Sequence, residues 1–286
     1  MTLKERNRLL IVDGNNLLFQ MFYGIPTKIY NKRGRTIHGT LGFISALQRM
    51  IKTYEINRCL VVFDQDGSSE RKEIAEDYKA NRPKDWDSLP QDEIPFLEEE
   101  YIRECLRYLD VCTLDSKGME ADDLIASIAL RESEENDVFI ASYDSDFFQL
   151  INDRISVIRY RGERTKRMDK PTFETEFCFP PERYTLYKAL TGDTADNVSG
   201  VLSIGKKRAT EIVQNCACCQ DLTAERVGFL PCKARQNLLS AIPLIERNLA
   251  LIVLREKPIQ EYCTGFDEGK IRESNSRILS ACHVFD

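Results

Sequence analysis

The chain of 286 residues is long enough for one large domain or two modest ones, and its 42% hydrophobic and 30% charged content is that of a soluble protein. No apolar run approaches the roughly 20 residues of a membrane span, and no secretory signal is present, so we expect a cytoplasmic protein with no membrane partner. The formal net charge of −6 excludes no function, because acids gathered in one site bias the total while basic residues cluster elsewhere.

The first half of the chain contains apolar, strand-like runs that each end in an acid. Residues 9–12 are followed by Asp13, residues 60–63 by Asp64, and the run that begins at Phe139 by Asp144 and Asp146. A single run of this kind usually ends in a solvated turn. Three such runs instead suggest that separate strands deliver carboxylates to one edge of a sheet.

Helical periodicity alternates with these strands. Apolar residues share one helical face over 43–54 and again over 102–109, and a further apolar run covers 111–114. The alternation predicts an α/β fold with a mostly parallel central sheet and helices on both faces. In such sheets ligands bind beyond the carboxyl ends of the strands, where the acids are expected.

Two regions depart from this pattern. Residues of about 67–99 are highly charged, contain three prolines and predict a partly helical excursion. From about Pro180 onward no convincing strand is found, so we predict an α/β domain over 1–179 and a smaller helical C-terminal domain over 180–286.

Two more acidic groups complete the set. GMEADD carries Glu120, Asp122 and Asp123, and LTGDTADN carries Asp193 and Asp196. Helix capping explains one or two acids in a first turn, but this many carboxylates repel one another unless cations neutralise them. Oxygen ligands without histidine or cysteine select Mg²⁺ or Mn²⁺, and so many acids suit two ions, the arrangement used to hydrolyse phosphodiesters. The acids therefore predict a nuclease.

The ten cysteines are scattered along the chain, and we expect them to be reduced thiols. A zinc site is less favoured, because the CACC spacing is not the paired C-x-x-C of zinc knuckles and only His38 and His283 could assist. Four cysteines lie close enough in sequence to be considered for it: Cys216, Cys218, Cys219 and Cys232.

Taken in order, several motifs resemble those of the 5′ nuclease family. They are IVDGNN, VVFDQD followed by R-x-x-x-x-x-x-Y-K-x-x-R, MEADD, SYDSDFFQL and LTGDTADNVSGVLSIGKKRA. The family comprises the flap endonucleases and the 5′-to-3′ exonuclease domain of bacterial DNA polymerase I. The resemblance spans roughly Leu9 to Val213, and without an attached polymerase region the chain looks most like the free-standing phage or bacterial form.

The resemblance implies a set of residues that hold two divalent ions: Asp13, Asp64, Glu120, Asp122, Asp123, Asp144, Asp146, Asp193 and Asp196. The catalytic ion would be served mainly by Asp64, Glu120 and Asp122, and the second ion by Asp146, Asp193 and Asp196. Asp144 would lie between the ions, and Asp13 and Asp123 would act partly through water. No acid of the second site is missing, which favours cutting at branches as well as exonuclease activity.

The excursion at 67–99 resembles the family's helical arch, which a single-stranded 5′ end passes through or beneath. Its basic and aromatic residues suit a phosphate clamp and a base-stacking surface, although a charged helix is more often simply solvated. Lys79 is the predicted stabiliser of charge on the scissile phosphate, with Arg71 and Arg82 assisting and Tyr78 beside them.

Residues of about 190–213 resemble the family's helix-three-turn-helix, which grips the duplex backbone. Its predicted DNA-binding residues are Gly200, Val201, Gly205, Lys206, Lys207 and Arg208. Ser203 stands where a glycine is usual, which leaves open whether this turn binds K⁺. Tyr143 also departs from a common glycine, and the basic stretch Arg159 to Lys170 is equally well explained as a solvated hairpin or loop or as a DNA contact.

The sequence thus predicts a Mg²⁺-dependent 5′ nuclease of DNA replication and repair, with Mn²⁺ able to substitute. We expect it to act as a monomer, in a bacterial or phage-infected cell, on DNA with 5′ flaps, junctions or free 5′ ends, and RNA-DNA hybrid is a further candidate substrate. Two alternatives remain at this stage: a phosphatase of small substrates that uses the same acids, and a structure-specific DNA-binding protein without activity.

Overall fold

The computed structural model describes residues 6–65, 70–80, 86, 88–259 and 261–286. Six strands form one sheet in the order β3-β2-β1-β4-β5-β6. The first five strands are parallel, and β6 pairs antiparallel with β5 at one edge. The strands are β1 Arg8–Asp13, β2 Arg58–Phe63, β3 Cys112–Asp115, β4 Asp137–Ala141, β5 Ile155–Arg159 and β6 Lys166–Met168.

Helices connect and cover these strands. The described α-helices are α1 Gly14–Gly24, α2 His38–Thr53, α3 Glu70–Ile74, α4 Glu99–Tyr108, α5 Ala121–Glu132, α6 Lys170–Phe177, α7 Tyr184–Thr191, α8 Lys206–Asn215, α9 Cys232–Ser240, α10 Ile242–Ile252, α11 Glu268–Ile271 and α12 Asn275–Ala281. No helix in these described ranges is long and apolar enough to cross a membrane.

The sheet is buried on both faces. In β1, Leu9 and Ile11 point into the core formed with α5 and the helices α7 to α10, while Leu10 and Val12 point into the core formed with α1, α2, α4 and α12. All four side chains are fully buried. A strand covered on both sides has no polar face, which is why the parallel strands are continuous apolar runs in the sequence.

The predicted mostly parallel sheet with helices on both faces is confirmed. The apolar runs singled out in the sequence are β1, β2, β3 and β4, whereas β5 and β6 were not predicted. The run ISVIR of β5 is only five residues long and lies beside a stretch rich in basic residues. The stretch Arg159 to Lys170 runs from the last residue of β5 through a turn and β6 to the first residue of α6, and its antiparallel pairing agrees with the hairpin alternative.

The C-terminal part is helical, and among its described residues the bridge between Asp193 and Val198 is the one extended pairing. The boundary predicted at 180 nevertheless needs a correction for the end of the chain. Ile278 and Leu279 of α12 are fully buried in the core with α2 and α4, so these last helices belong to the α/β unit. The apolar side chains of α12 pack on this face of the sheet, and no local pattern in the sequence indicates that position.

The excursion predicted as an arch at about 67–99 is described in part. It contains α3, a turn to Ala80, and two short 3₁₀ helices, Gln91–Glu93 and Pro95–Glu98. Residues 66–69, 81–85 and 87 lie outside the described residues, and Arg82 is among them. The described part leads from the end of β2 back to α4, so this segment borders the edge where the predicted acids lie.

Candidate functional site

Carboxylates meet in a pocket at the carboxyl edge of the parallel strands. The pocket has a volume of about 460 Å³, and five of the nine predicted acids line it: Asp13, Asp64, Glu120, Asp122 and Asp144. Asp13 ends β1 and Asp64 follows β2, while Asp144 lies just beyond β4. Neighbouring parallel strands end at one edge, so residues far apart in sequence become neighbours there.

Two of these acids are held by helix capping. Asp13 caps α1, and its carboxylate accepts hydrogen bonds from the Asn16 N–H at 3.1 Å and from the Ser142 hydroxyl at 2.9 Å. Asp144 caps the 3₁₀ helix Ser145–Leu150 and accepts from the Asp146 N–H at 2.8 Å. Capping orients each carboxylate while leaving further oxygen lone pairs directed at the pocket.

Asp64 and Glu120 are fixed by polar partners on the other side of the pocket. The Asp64 carboxylate accepts from the Ser116 hydroxyl at 2.8 Å, and the Asp64 N–H donates to the Asn15 side chain at 2.8 Å. Glu120 immediately precedes α5, and its carboxylate accepts from the Lys79 ammonium at 2.7 Å. The pocket thus presents acids that are oriented before any ligand binds.

Burial and mutual repulsion perturb these carboxyls. Burial raises the pKa of Asp13 to about 6, with Asp144 and Asp64 adding to the rise. Burial also raises the pKa of Asp122 well above its ordinary value, with Asp144 as the next cause, and burial raises the pKa of Asp64. A pocket that gathers five carboxylates, even beside the Lys79 ammonium, is suited to further cations.

A second acidic group adjoins the first. Asp146, Asp193 and Asp196 each offer a carboxylate oxygen, and these oxygens lie within 4.8 Å of one another. In the described part of the chain, this trio is the group of acids, histidines or cysteines close enough to share one ion. The four cysteines considered for zinc form no such group there, and Cys216 and Cys219 are buried.

Lys188 of α7 contacts this trio and was not singled out from the sequence. Its ammonium donates to Asp146 and lies 2.6 Å from the Asp193 carboxylate. Burial raises the pKa of Asp146 to about 7, against the opposing effect of Lys188 and with Asp144 adding to the rise. The pKa of Asp193 is lowered, because its bonds to Lys188 and to backbone N–H groups outweigh the effect of burial.

Asp123 is neither a lining residue of the pocket nor a member of the trio, although its partner Arg71 also lies 3.4 Å from Glu120 of the pocket. Its two oxygens accept from the Arg71 guanidinium at 2.8 and 2.9 Å, and the Arg255 N–H donates to it at 2.9 Å. Arg71 also donates to the backbone oxygens of Leu251 and Val253 and is buried. This geometry favours a structural role, in which the pair joins α3, α5 and the end of α10. The metal role of Asp123 and the phosphate role of Arg71 remain predictions.

The other predicted arch residues differ in exposure. Lys79 lines the pocket of five acids, and its ammonium lies 4.9 Å from the centre of the Tyr78 ring. Tyr78 is buried, and its hydroxyl donates to Asp196 at 3.4 Å. Tyr78 therefore offers no open face for a base, and its described contact links the arch to the second acidic group.

An aromatic wall on the same pocket escaped the sequence analysis. Phe19, Trp86 and Phe96 line the same pocket as the five acids, and their ring centres are 5.0 to 5.7 Å apart in edge-to-face pairs. Phe19 lies in α1, whereas Trp86 and Phe96 lie in the excursion, so no local sequence motif contains all three. Exposed aromatic faces beside a charged pocket are suited to stacking on nucleobases.

The turn between α7 and α8 requires its first two glycines. A Cβ on Gly192, where φ is +79°, would lie 2.4 Å from the Gly200 nitrogen, and a Cβ on Gly200 would lie 2.4 Å from the Thr191 carbonyl oxygen. Val201 is buried and its N–H donates to the Leu190 carbonyl, so it packs the turn rather than presenting a surface. Asn248 of α10 pins the turn by donating to the Ser199 carbonyl at 2.8 Å.

The remaining predicted DNA-binding residues lie at the start of α8. A Cβ on Gly205 would meet nothing within 4 Å, and Lys206 and Lys207 are exposed. Arg208 donates to the Ser203 carbonyl at 2.6 Å, and Ser203 adopts φ +68°, the backbone region that a glycine usually occupies. Ser203 thus adopts this left-handed conformation at a modest cost in backbone strain.

Tyr143 and Arg159 lie between the acids and this turn. The Tyr143 N–H donates to the Asn16 side chain at 2.9 Å, and the Arg159 guanidinium lies 4.7 Å from the centre of the Tyr143 ring. Arg159, Lys188, Lys206 and Gly200 line a shared open pocket of about 830 Å³. This pocket connects the second acidic group with the exposed start of α8.

The fold and these two acidic groups define a class of α/β proteins with divalent-metal sites at the carboxyl edge of a parallel sheet. The family model described as the 5′-3′ exonuclease, N-terminal resolvase-like domain, matches residues 8–178. The chain therefore belongs to this family, and the resemblance to 5′ nucleases expected from the sequence is confirmed.

Individual relatives agree with this membership. The chain is 29% identical over 265 residues to a 5′-3′ exonuclease of Bacillus subtilis, covering 91% of this chain and 85% of that protein. It is 28% identical over 261 residues to DNA polymerase I of Rhizobium leguminosarum, covering 88% of this chain and 25% of that protein. The chain thus spans about a quarter of the length of the DNA polymerase I relative.

A solved structure shares the fold. The T5 5′-exonuclease with bound divalent metal ions (zinc) superposes with a TM-score of 0.71 at 26% identity, covering 86% of this chain and 89% of that one.

Proposed function

We propose that this chain is a structure-specific 5′ nuclease that hydrolyses phosphodiester bonds in branched or 5′-ended DNA with the help of two Mg²⁺ ions. The observation that carries the proposal is the pair of adjoining acidic groups, one of five carboxylates in a pocket and one of three. Two such groups, with oxygen ligands throughout, match the needs of phosphodiester hydrolysis. The T5 5′-exonuclease, which shares the fold, binds divalent metal ions.

The acids present fit such ions, because the pKa values of Asp13, Asp64, Asp122 and Asp146 are raised by burial and crowding that a cation relieves. Asp146, Asp193 and Asp196 would hold one ion directly. No three of the five pocket acids in the described chain bring their oxygens within 4.8 Å of one another, so these acids would hold the other ion partly through waters that Mg²⁺ keeps. Bound ions supply the charge that lowers the pKa of the attacking water and stabilises the leaving oxygen.

The remaining site residues act on the substrate. The Lys79 ammonium, held by Glu120, adds positive charge where the scissile phosphate enters the pocket. The aromatic wall of Phe19, Trp86 and Phe96 provides faces on which the terminal bases stack. These contacts fix the 5′ strand while the acids stay in their capped orientations.

The duplex would be held at the start of α8. Exposed N–H groups at the N-terminus of this helix, together with Lys206 and Lys207, suit backbone phosphates and carry no sequence preference. The absence of a Cβ at Gly205 leaves room for close approach. A K⁺ ion at this turn stays a prediction, since the Arg208 guanidinium already supplies positive charge at the Ser203 carbonyl.

Within this proposal, Mn²⁺ replaces Mg²⁺, the protein acts as a monomer, and RNA-DNA hybrid is cut as well as DNA. We place it in the cytoplasm of a bacterial or phage-infected cell, in DNA replication and repair. With α11 and α12 counted in the α/β part, the domain division at about 180 assigns catalysis to that part and duplex binding to α7, α8 and their turn.

The deciding experiment is cleavage of an end-labelled DNA with a single-stranded 5′ flap, in Mg²⁺ or in chelator, read by fragment length. We expect cutting at the branch in Mg²⁺ and intact DNA in chelator. Tight junction binding with no cleavage under either condition would support the DNA-binding protein instead. Turnover of nitrophenyl phosphate without DNA cleavage would support the phosphatase.

A pH dependence of stability follows from the raised pKa values. The ordinary pKa of these carboxyls is 3.8, whereas Asp13 and Asp146 titrate at about 6 and about 7 in the fold. Between pH 4 and pH 8 the folded chain binds more protons than the unfolded chain, so raising the pH across this range lowers the free energy of unfolding, by up to about 6 kcal/mol. Thermal unfolding in chelator measures this decline.

Added Mg²⁺ should raise the melting temperature more at pH 8 than at pH 5, because the ions bind the deprotonated acids. Asp146→Asn should flatten the decline seen in chelator. The free energy of unfolding in chelator could instead rise from pH 4 to pH 8 in the unmodified chain and have the same slope in Asp146→Asn. That result would contradict the raised pKa values of Asp13 and Asp146.

A further inference from the structure

The second acidic group already contains a cation. Lys188 lies inside α7 and is buried, and its ammonium donates to the Asp146 carboxylate and lies 2.6 Å from an Asp193 oxygen. These two acids supply two of the three carboxylates whose oxygens lie within 4.8 Å of one another. The ammonium therefore uses the oxygens that an ion in this group needs.

An ammonium and a metal ion cannot use these oxygens in the same way. The ammonium carries three donors and no lone pair, so it neutralises the acids but cannot ligate an ion. Two like charges at one group of carboxylates also repel each other. A divalent ion that binds the trio must then displace Lys188 from its acceptors or share them with it.

The pocket of five acids differs in this respect. The Lys79 ammonium donates to Glu120 at 2.7 Å and the Arg71 guanidinium lies 3.4 Å from the same carboxylate, so these two contacts fall on one acid among five. Lys79 also belongs to the excursion between β2 and α4, whereas Lys188 lies within α7 and is buried. The internal competition for carboxylate oxygens is therefore stronger at the trio.

The open pocket beside the trio has room for the Lys188 side chain once an ion displaces it. The Lys188 side chain borders the open pocket of about 830 Å³ that Arg159 and Lys206 also line. On the proposed function, this pocket faces the duplex backbone, so an ammonium that leaves the acids meets phosphate rather than apolar protein.

We propose that Lys188 is a built-in counter-cation of the second acidic group, which it occupies in the metal-free protein, and that it weakens the binding of the second divalent ion relative to the first. The inference rests on the proposed function, because it requires that the trio binds such an ion. It assigns Lys188 a positioning role that acts through Asp146 and Asp193.

The test measures the binding of Mn²⁺ to the full chain without DNA. Calorimetry gives the affinities, and the electron paramagnetic resonance signal gives the concentration of free Mn²⁺. We expect the unmodified chain to bind one ion more tightly and one more weakly. Lys188→Met should tighten the weaker class by about 10-fold or more, because a neighbouring positive charge is removed, and change the tighter class less than twofold.

Lys270→Met is the matched control. The Lys270 ammonium also lies near two carboxylates, those of Asp110 and Asp267, each at 3.7 Å, but on α11 away from the acidic groups. This variant should bind Mn²⁺ as the unmodified chain does. Lys188→Gln provides a second substitution that keeps a hydrogen-bond donor without the charge, and it should tighten the weaker class as Lys188→Met does.

The outcomes separate this inference from the proposed function. If the unmodified chain binds two Mn²⁺ ions and cuts flap DNA, but folded Lys188→Gln or Lys188→Met binds the weaker ion no more tightly, the role of Lys188 is overturned alone. If the unmodified chain binds no Mn²⁺, both proposals fail. If it binds two ions and the Lys188 variants tighten the weaker class while flap DNA stays intact, the inference stands and the nuclease proposal fails.

Discussion

Asp144→Asn should lower the rate of flap cleavage by about 10²- to 10³-fold while leaving duplex binding nearly unchanged. Asp144 lines the pocket of five acids, and its charge also acts on Asp122 and Asp146, so it is the acid that both groups share. An asparagine keeps the oxygen that accepts from the Asp146 N–H, so the capped 3₁₀ helix is retained. Single-turnover cleavage and DNA-binding titrations measure the two effects separately.

Asp153→Asn is the control for this substitution, because the Asp153 side chain is 88% exposed and lies away from the pocket. It should cleave as the unmodified chain does. The Asp144 variant should also be slightly more stable than the unmodified chain in chelator, since one of several mutually repelling charges is gone. Ordinary turnover in Asp144→Asn would remove the central acid from the proposed mechanism.

Arg71→Met should destabilise the fold by about 3 to 5 kcal/mol, because it leaves the Asp123 carboxylate buried without its partner. Arg71 is 3% exposed, and its guanidinium binds both Asp123 oxygens and two backbone carbonyls at the end of α10. Urea unfolding measures the loss. The neighbouring Lys72 is exposed, so Lys72→Met should change the free energy of unfolding by less than about 0.5 kcal/mol.

The combined variant Arg71→Met with Asp123→Leu distinguishes the two roles considered for this arginine. If the pair is structural, removing both charges should recover part of the stability lost in Arg71→Met. If Arg71 instead contacts the scissile phosphate, Arg71→Met should keep nearly full stability and lose cleavage. The second result would restore the role that the sequence resemblance assigned to Arg71.

The fold class and the grouping of the acids could be predicted from the sequence alone. The runs that became β1 and β2 are apolar at every position because both faces of the sheet are buried, and Asp13 and Asp64 stand out at their ends. Parallel strands bring such ends to one edge, so the cluster was predictable without coordinates. The family resemblance further supplied the expected order of the motifs.

The division of the acids into two groups, and the other side chains that contact them, follow from the tertiary structure. Asp122 and Asp123 are adjacent in sequence, yet Asp122 lines the pocket and Asp123 binds Arg71, because successive residues of a helix point about 100° apart. Lys188 contacts Asp146, which is 42 residues away in the chain, and Trp86 of the excursion contacts Phe19 of α1. Such pairings depend on how helices pack against the sheet, and a local pattern of residues carries no record of that packing.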